Sequence, residues 1–231
     1  EVTETVAWRK MQGGRFGTVV ELPAGCYSDD TQLRLATSRA IRGDGRFDAE
    51  AFGKVELTVW PAYGLGGGRG TKAAAAGLAD RRVNWYSNFF QTPTGRYVNS
   101  GGNGAAMRIQ PHVWAAKDKT KPAEYLGDVI RNSVCSHGHA RGILGAAFHA
   151  ISLAEALYRG SVPGPEEWVA AIGKLREVPR LIESDPELGA NWRPAWEKGS
   201  GSTVERAFGE VADELDRDVE RIEAVVRGGA L

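Results

Sequence analysis

The sequence contains few cysteines and no excess of either sign of charge. Two cysteines, Cys26 and Cys135, occur among 231 residues. They are too few for a disulfide framework, and a chain of this length buries a core without one. We therefore expect a reducing, cytoplasmic setting. Lys plus Arg and Asp plus Glu number 29 each, for a formal net charge of +0, so the composition carries no signature of a nucleic-acid or anionic-membrane partner.

A long hydrophobic run is missing as well. The most apolar stretch, residues 144–157, is interrupted by His149 and Glu155 and is too short and too polar to cross a bilayer. No basic segment followed by an apolar one opens the sequence, and we expect no membrane partner. Because 42% of the residues are hydrophobic and 25% are charged, the composition is that of a globular protein rather than a disordered one.

Glycine, by contrast, is abundant and divides the sequence. The 30 glycines cluster at residues 64–70 and 101–104, as is typical of breaks between helices. Strand signals are weak, at residues 15–22 and 85–90. The expected fold class is all-α, a compact helical fold with long functional loops, in a single domain over residues 1–231. We expect helices over residues 31–41, from Asp48 past Val59, over 73–79 behind a capping Thr71, from Pro122 to 134, from 139 to 159, and from Pro165.

The last helix has the clearest pattern. Ser202-Thr203-Val204-Glu205 has the form of a capping box. An apolar stripe at three- and four-residue steps follows it from Val204 to Val226. Such a stripe usually packs in the chain's own core, and the alternative is a helical scaffold that binds another protein through this face.

The sharpest chemical feature is Ser28-Asp29-Asp30-Thr31-Gln32, which follows a turn and precedes a helix. One interpretation is a doubled helix cap, because capping and the helix dipole favour acidic residues there. The other is a site for a hard cation, because two carboxylates and a hydroxyl offer several oxygens within one turn. This motif alone does not complete an octahedral shell, so further ligands must come from water or from elsewhere.

A second feature is the glycine-rich stretch from Asn99 to Arg108. Small residues let backbone N–H groups approach a ligand closely, and such concave nests suit phosphates. A flexible connector between helices is an equal alternative.

Two further stretches are more typical of structural elements than of functional sites. Ser136-His137-Gly138-His139 spaces two histidines at i, i+2, but no Cys/His pair follows to complete a zinc site, so a helix start with a capping serine is preferred. Residues 64–72 contain Gly-Thr-Lys rather than the Gly-Lys-Thr of a P-loop, and no β–α–β pattern supports a dinucleotide site. We interpret them as a loop that caps the next helix.

In this order and spacing the motifs resemble those of the ADP-ribosylglycohydrolase family, which includes the dinitrogenase reductase-activating glycohydrolase and the ADP-ribosylarginine hydrolases. The matching stretches are residues 25–33, residues 102–109, and Ser136-His137 ahead of an alanine-rich helix. The glycine loop with Thr71 also fits. The resemblance covers about residues 8–160, and the joint match is more specific than any single motif.

The resemblance implies an all-α fold with a two-metal centre of Mg²⁺ or Mn²⁺. Carried over motif by motif, the metal ligands are Ser28, Asp29 and Asp30, of which Asp29 and Asp30 are also the catalytic residues. The implied ADP-ribose pocket consists of the glycine-rich stretch, a methionine behind it and a histidine near the phosphates: Ser100, Gly101, Gly102, Asn103, Gly104, Met107 and His137. The aromatic residues Trp85, Tyr86, Phe89 and Phe90 form either a stacking surface for adenine or, as aromatic clusters usually do, part of the core.

The implied activity is metal-dependent hydrolysis of the glycosidic bond between ADP-ribose and a modified acceptor, on a protein or a small molecule. Such a bond breaks through an oxocarbenium-like state. Divalent ions can hold the ribose diol and activate a water molecule. No Ser/His/Asp triad is required for this chemistry and none is evident.

The sequence departs from the family pattern at both ends. A second acidic motif of the Gly-Asp-Thr-Asp-Thr type is not found, and the nearest candidates after residue 180 are Ser184-Asp185, Asp213-Glu214 and Asp216-Arg217-Asp218. The family's N-terminal Gly-Asp-Ala-Leu-Gly-like helix has no counterpart beyond a remnant at residues 1–8, where Glu1 and Glu4 are candidates for the active-site glutamate. We expect a domain that is incomplete at both ends or divergent. The alternative function is therefore a catalytically impaired or truncated ADP-ribose-binding module that lacks half of the metal site. The sequence indicates no oligomeric state.

Overall fold

A computed structural model describes residues 4–12 and 16–227 of the chain. This part is mostly helical, and the predicted all-α fold class is confirmed. The helices are α1 (Asp29–Arg39), α2 (Ala49–Ala51), α3 (Leu57–Val59), α4 (Arg69–Leu78), α5 (Gln110–Ala115), α6 (Leu126–Val134), α7 (Ala140–Arg159), α8 (Pro165–Leu175), α9 (Val178–Ser184), α10 (Arg193–Ser200) and α11 (Val204–Arg227). A π-helical segment, Phe52–Glu56, joins α2 to α3, and a second one, Leu188–Trp192, leads into α10.

Two antiparallel hairpins accompany the helices. Strand β1 (Trp8–Gln12) pairs with β2 (Thr18–Leu22), and β3 (Gln91–Thr92) pairs with β4 (Gly95–Arg96). The weak signal at residues 15–22 was therefore right for the β-branched part of β2. The expected remnant of an N-terminal helix is wrong where it can be checked, because Trp8 begins a strand; Glu1 lies outside the described residues.

Helix starts follow local hydrogen bonds more than the simplest sequence pattern. The predicted cap at Asp48 is confirmed, since its carboxylate accepts from the backbone N–H of Ala51 at 2.9 Å. Thr71 was predicted as a cap, but α4 begins two residues earlier behind Gly68, which has extended backbone, and Thr71 is buried within the helix. At α11 the hydroxyl of Thr203, not Ser202, accepts from Arg206 N at 3.3 Å.

Pro122 opens a 3-10 turn rather than the helix itself. That turn covers Pro122–Glu124, and α6 starts only at Leu126. The residues in 85–90 contain no strand, and the short β3 follows them instead. Both cysteines are free thiols, in agreement with the expectation that no disulfide framework exists.

The core is centred on α7. Helices α5, α6, α8 and α11 all pack against α7, whose buried face includes Ile143, Leu144 and Ile151. The stripe of α11 is buried against this centre at Val204, Phe208, Val211 and Val219, and each such side chain contributes about 1.5–3 kcal/mol relative to an exposed one. The stripe therefore packs in the chain's own core over most of its length, whereas Ile222 is exposed and the side chain of Val226 lies outside the described part.

Among the described residues, no helix combines the length and apolar character that crossing a bilayer requires.

Helix α1 is docked onto the glycine-rich stretch. It packs against α5 and against the 3-10 turn Ala106–Arg108 that ends this stretch. Arg34 of α1 secures the contact, because its guanidinium donates to Gln110 Oε1 at 3.1 Å and to the carbonyl of Met107 at 3.4 Å. The start of α1, which carries the acidic motif, is thereby held beside the glycine-rich stretch.

Candidate functional site

A cavity of about 420 Å³ lies where the starts of α1 and α4 meet the glycine-rich stretch. Its lining includes Asp29, the first turn of α4, part of the β3–β4 hairpin and the whole predicted ADP-ribose set, namely Ser100, Gly101, Gly102, Asn103, Gly104, Met107 and His137. Residues more than a hundred positions apart in the sequence thus share one cavity. Two arginines that the sequence analysis did not single out, Arg69 and Arg96, also line it, so its wall is rich in hydrogen-bond donors.

The acidic motif meets the cavity through one of its three side chains. Asp29 lines the cavity, whereas Ser28 and Asp30 are not among its lining residues. The Ser28 hydroxyl donates to Asp30 Oδ2 at 3.0 Å. Ser28 occupies the N-cap position of α1, yet its side chain makes no capping hydrogen bond. The doubled-cap interpretation is therefore not supported by the Ser28 side chain, whose hydroxyl is directed to Asp30.

Gln32 is a residue whose role the sequence analysis missed. Its carbonyl oxygen accepts from Trp60 Nε1 and from the backbone N–H of Leu65, both at 3.1 Å. Its amide nitrogen donates to the carbonyls of Tyr27 and Tyr63, at 3.4 and 3.2 Å. One buried side chain therefore joins the turn before α1 to the loop before α4. The only available signal was its place inside the matched stretch 25–33.

A lysine of the N-terminal hairpin approaches Asp29. Lys10 donates to the carbonyl of Leu65. The next residue, Gly66, has φ +137°, and a methyl group there would collide with both the Asp29 carboxylate and the Lys10 ammonium. The ammonium and the carboxylate therefore lie close to each other on the same side of Gly66. Glycine is required at this position for its positive φ and for the close approach.

The glycine-rich stretch is packed on both sides, which argues against a flexible connector. The carbonyls of Tyr97 and Ser100 accept from the backbone N–H groups of Gly138 and His139, each at 3.2 Å. A methyl group on Gly104 would lie 2.9 Å from both His137 Cε1 and Thr71 Oγ1. Gly104 therefore permits contact between α4, the glycine-rich stretch and His137.

Arg108 is a fully buried cation beneath this stretch. Its guanidinium donates to the carbonyl of Gly104 at 2.8 Å, to Asn132 Oδ1 at 2.7 Å, to the carbonyl of Asn132 at 2.8 Å and to Ser136 Oγ at 2.8 Å. It also lies over the ring of Phe52, 5.1 Å from the centroid. None of these partners is a carboxylate. Burial lowers the pKa of Arg108 to about 10, so the group remains charged at neutral pH.

His137 is attached to this cation through Ser136. Its Nδ1 lies 2.8 Å from Ser136 Oγ, and the side chain is 3% exposed. Burial, assisted by the nearby Arg108 charge, lowers the pKa of His137 to about 3. The expected capping serine is wrong, because Ser136 is buried against Arg108, and the cap of α7 is His139, whose Nδ1 accepts from Arg141 N at 3.1 Å.

Of the aromatic residues at 85–90, one reaches the cavity. Phe90 is part of its lining, while Trp85 is buried in the core and Tyr86 and Phe89 pack against the core. The core interpretation therefore holds for most of this run. The other two histidines are internal as well: His112 is 3% exposed, and His149 Nε2 lies 2.9 Å from the side-chain amide of Gln110.

Asp29 is the one carboxylate among the described residues that line the cavity. Within residues 4–12 and 16–227, no three His, Cys, Asp or Glu side chains converge on one point. The candidates after residue 180 have other partners, since Asp185 binds Arg131 at 2.6 Å and Asp213 and Asp216 both bind Arg176, at 2.8 and 2.7 Å. Glu4 is exposed. Of Ser28, Asp29 and Asp30, only Asp29 lines the cavity, and its carboxylate oxygens are of the kind that hard cations prefer.

A helical fold with a donor-rich cavity around a glycine loop is what the motif resemblance predicts. Comparison with protein families agrees: the ADP-ribosylglycohydrolase profile matches residues 2–229. The chain belongs to this family, whose members are hydrolases that act on ADP-ribose linkages and are generally metal-dependent. The match extends well beyond residue 160, where the motif resemblance ended. A comparison with curated proteins gave no match.

Proposed function

We propose that this protein hydrolyses the glycosidic bond between ADP-ribose and an acceptor, which is a protein side chain or a small molecule. The observation that carries the proposal is the shared cavity, in which Asp29, the glycine-rich stretch and His137 line one space of about 420 Å³. Cavities of several hundred cubic ångströms are the usual size for small-molecule sites. The family membership supplies the substrate class.

The two sides of the cavity take different parts in the proposed reaction. Backbone N–H groups of residues 101–104 and the ring of His137 bind the pyrophosphate, with Ser100 beside them and Met107 behind them. Donors that are already in place provide orientation, which lowers the barrier without moving any group during the reaction. Arg69 and Arg96 line the same cavity and favour an anionic ligand electrostatically.

On the acidic side, Ser28, Asp29 and Asp30 would hold a divalent ion, Mg²⁺ or Mn²⁺. Such an ion, when bound, lowers the pKa of a coordinated water and stabilises oxygen ligands of the ribose. Asp29 and Asp30 contribute the negative charge that retains it. The Asp29 carboxylate, which lines the cavity, would also stabilise the positive charge that develops at the anomeric carbon as the glycosidic bond breaks.

A second candidate function is an ADP-ribose-binding module without turnover. The observation that favours it is Lys10, whose ammonium lies beside Asp29 next to Gly66 and supplies a positive charge at the acidic side. The incomplete acidic set within the described part of the chain points the same way.

The two functions are separated by measuring binding and turnover together. Titration calorimetry with ADP-ribose is done with and without Mg²⁺ or Mn²⁺, and release of ADP-ribose is followed from an ADP-ribosylated arginine substrate. Hydrolysis that is lost in Asp29→Asn and Asp30→Asn but kept in the control Asp44→Asn supports the hydrolase. Asp44 is exposed and pairs with Arg46 in the loop before α2. Tight binding without release supports the binding module, and absence of binding rejects both.

A further inference from the structure

We propose that Arg108 and Ser136 are positioning residues that hold His137 as the neutral Nε2–H tautomer, so that it serves as a hydrogen-bond donor to an anionic oxygen of the ligand and not as a base. The inference rests on the proposed function for the identity of the ligand. The tautomer itself follows from the hydrogen bonds of the protein.

The first step concerns the direction of the Arg108–Ser136 bond. A guanidinium has five donors and no acceptor, so Arg108 Nη2, 2.8 Å from Ser136 Oγ, donates and the serine oxygen accepts. This direction does not change with pH in the neutral range, because Arg108 stays protonated.

The second step assigns the serine hydrogen. Within the described part of the chain, the other partner of Ser136 Oγ is His137 Nδ1, at 2.8 Å. If Nδ1 carried a hydrogen, the serine oxygen would accept twice, and its own hydrogen would have no acceptor at a fully buried position. An unsatisfied buried donor is costly. The hydroxyl therefore donates to Nδ1, and the ring hydrogen of a neutral His137 is on Nε2.

The third step places the Nε2–H group. His137 lines the cavity, and the Cε1–Nε2 edge of its ring lies against Gly104, where an added methyl group would be 3.1 Å from Nε2. The ring is 3% exposed, yet Nε2 has no hydrogen-bond partner among the described residues, while Nδ1 has one. A nearly buried, unpartnered donor in a cavity wall is suited to an oxygen of a bound ligand.

The charges around His137 support the neutral form. The nearest is Arg108, which reaches it through Ser136, and Arg69 and Arg96 line the same cavity. The opposing charge in the lining is Asp29, and the buried neighbour Cys135 is neutral because burial raises the pKa of its thiol to about 12. A neutral Nε2–H donor favours ligand oxygens that stay anionic, as those of a pyrophosphate do, and cannot accept a proton from water at that nitrogen.

The test uses ¹⁵N-histidine NMR. The chemical shifts of the ring nitrogens differ between the two neutral tautomers and the imidazolium, so the form of His137 can be determined in the protein without ligand. In the wild-type protein we expect His137 to show a protonated Nε2 and an unprotonated Nδ1 from pH 5.5 to pH 8. Ser136→Ala should give a mixture of tautomers and weaken ADP-ribose binding by about the reciprocal of the remaining Nε2–H fraction, which is about twofold for an even mixture. Ser136→Thr, which keeps the hydroxyl, should restore both. In a His137→Ala background the Ser136→Ala change should have no further effect on affinity.

Ser133→Ala is the matched control. Ser133 is also fully buried at the end of α6, but its hydroxyl donates to the carbonyl of Val129 at 2.7 Å. Its bond to His137 is through the backbone, since the Ser133 carbonyl accepts from His137 N at 2.9 Å, and the alanine variant keeps this bond. We expect this variant to keep the His137 tautomer and the affinity. A wild-type His137 that is protonated on Nδ1 in this pH range would overturn the inference, as would an equal loss of affinity from Ser136→Ala with and without His137. If the tautomer is as expected but ADP-ribose does not bind, the proposed function fails and the positioning role stands.

Discussion

The side of the cavity that contains the glycine-rich stretch and the side that contains the acidic motif are held by different means. Behind the glycine-rich stretch, Arg108, Asn132 and Ser136 are fully buried and make several hydrogen bonds between 2.7 and 2.8 Å. At the acidic motif, Gln32 anchors the turn before α1, but the side chains of Ser28, Asp29 and Asp30 are joined by one hydrogen bond of 3.0 Å, between Ser28 and Asp30. The carboxylate of Asp29 lies close to the ammonium of Lys10.

The glycine-rich side is thus preorganised for binding, whereas the acidic motif carries negative charge that a bound cation would neutralise. Donors on the glycine-rich side are held by interactions that ligand removal leaves in place, which limits the entropy lost on binding. Adjacent carboxylates repel each other unless a cation or protonation relieves them. We therefore expect substitutions behind the glycine-rich stretch to affect folding as well as binding, and substitutions at the acidic motif to affect mainly ion binding and turnover.

Arg108→Met should show the largest effect on stability. The change removes a buried cation and leaves its acceptors at Gly104, Asn132 and Ser136 without their donor. Hydrogen bonds to charged groups contribute about 1.5–3 kcal/mol each, so even after partial relaxation we expect a loss of at least about 3 kcal/mol in the free energy of unfolding. Urea denaturation monitored by circular dichroism measures it.

The control for this variant is Arg221→Met, which removes an exposed arginine from α11. Exposed ion pairs contribute about 0–1 kcal/mol, so its denaturation midpoint should stay close to that of the wild type. Equal midpoints for Arg108→Met and Arg221→Met would contradict the preorganised character of the glycine-rich side.

Gly104→Ala should have an intermediate effect. The new methyl group would lie 2.9 Å from His137 and from Thr71, and overpacking of this kind costs about 1–3 kcal/mol. Gly102→Ala is the matched control for stability, because nothing lies within 4 Å of its added methyl group. Thermal unfolding should show a lower midpoint for Gly104→Ala than for Gly102→Ala, and similar midpoints would mean that the contact between α4 and His137 is not tight.

The sequence predicted the helical class and the cavity residues better than it predicted helix starts. Periodicity located α1, α7 and α11 because their apolar faces are regular. Residue type misplaced the caps at Thr71 and Ser202: α4 starts at Arg69 behind Gly68, which has no side chain to form a cap, and α11 is capped by the next residue, Thr203. The strand β1 was missed because its residues, Trp8–Gln12, show little alternation of polar and apolar side chains.

The motifs did not reveal the residues that support the site. Arg108 and Gln32 both lie within the matched stretches, but their roles depend on partners distant in the sequence, Asn132 and Ser136 for Arg108 and Trp60 and Leu65 for Gln32. Lys10 belongs to a hairpin that carries no motif at all. Such long-range contacts are not encoded in local spacing, which is why a single sequence indicated the cavity wall but not what holds it.

Lys10→Gln should have the smallest effect on stability and the most specific effect on ion binding. Removing the ammonium that lies beside Asp29 takes a like charge away from an incoming cation. Two unit charges about 4 Å apart in water interact by about 1 kcal/mol, and a divalent ion doubles this, so we expect Mn²⁺ to bind at least about fivefold more tightly in calorimetry, with an unchanged thermal midpoint. The control is Arg9→Gln, which removes the next positive charge of the same strand, one that pairs with Glu21 at 2.8 Å in an exposed position. If neither variant changes the affinity for Mn²⁺, Lys10 does not compensate the charge of Asp29 and the binding-module alternative loses its specific support. If Lys10→Gln alone tightens ion binding and also raises the rate of ADP-ribose release, the acidic site is competent for hydrolysis, and Lys10 lowers both its affinity for the ion and its turnover.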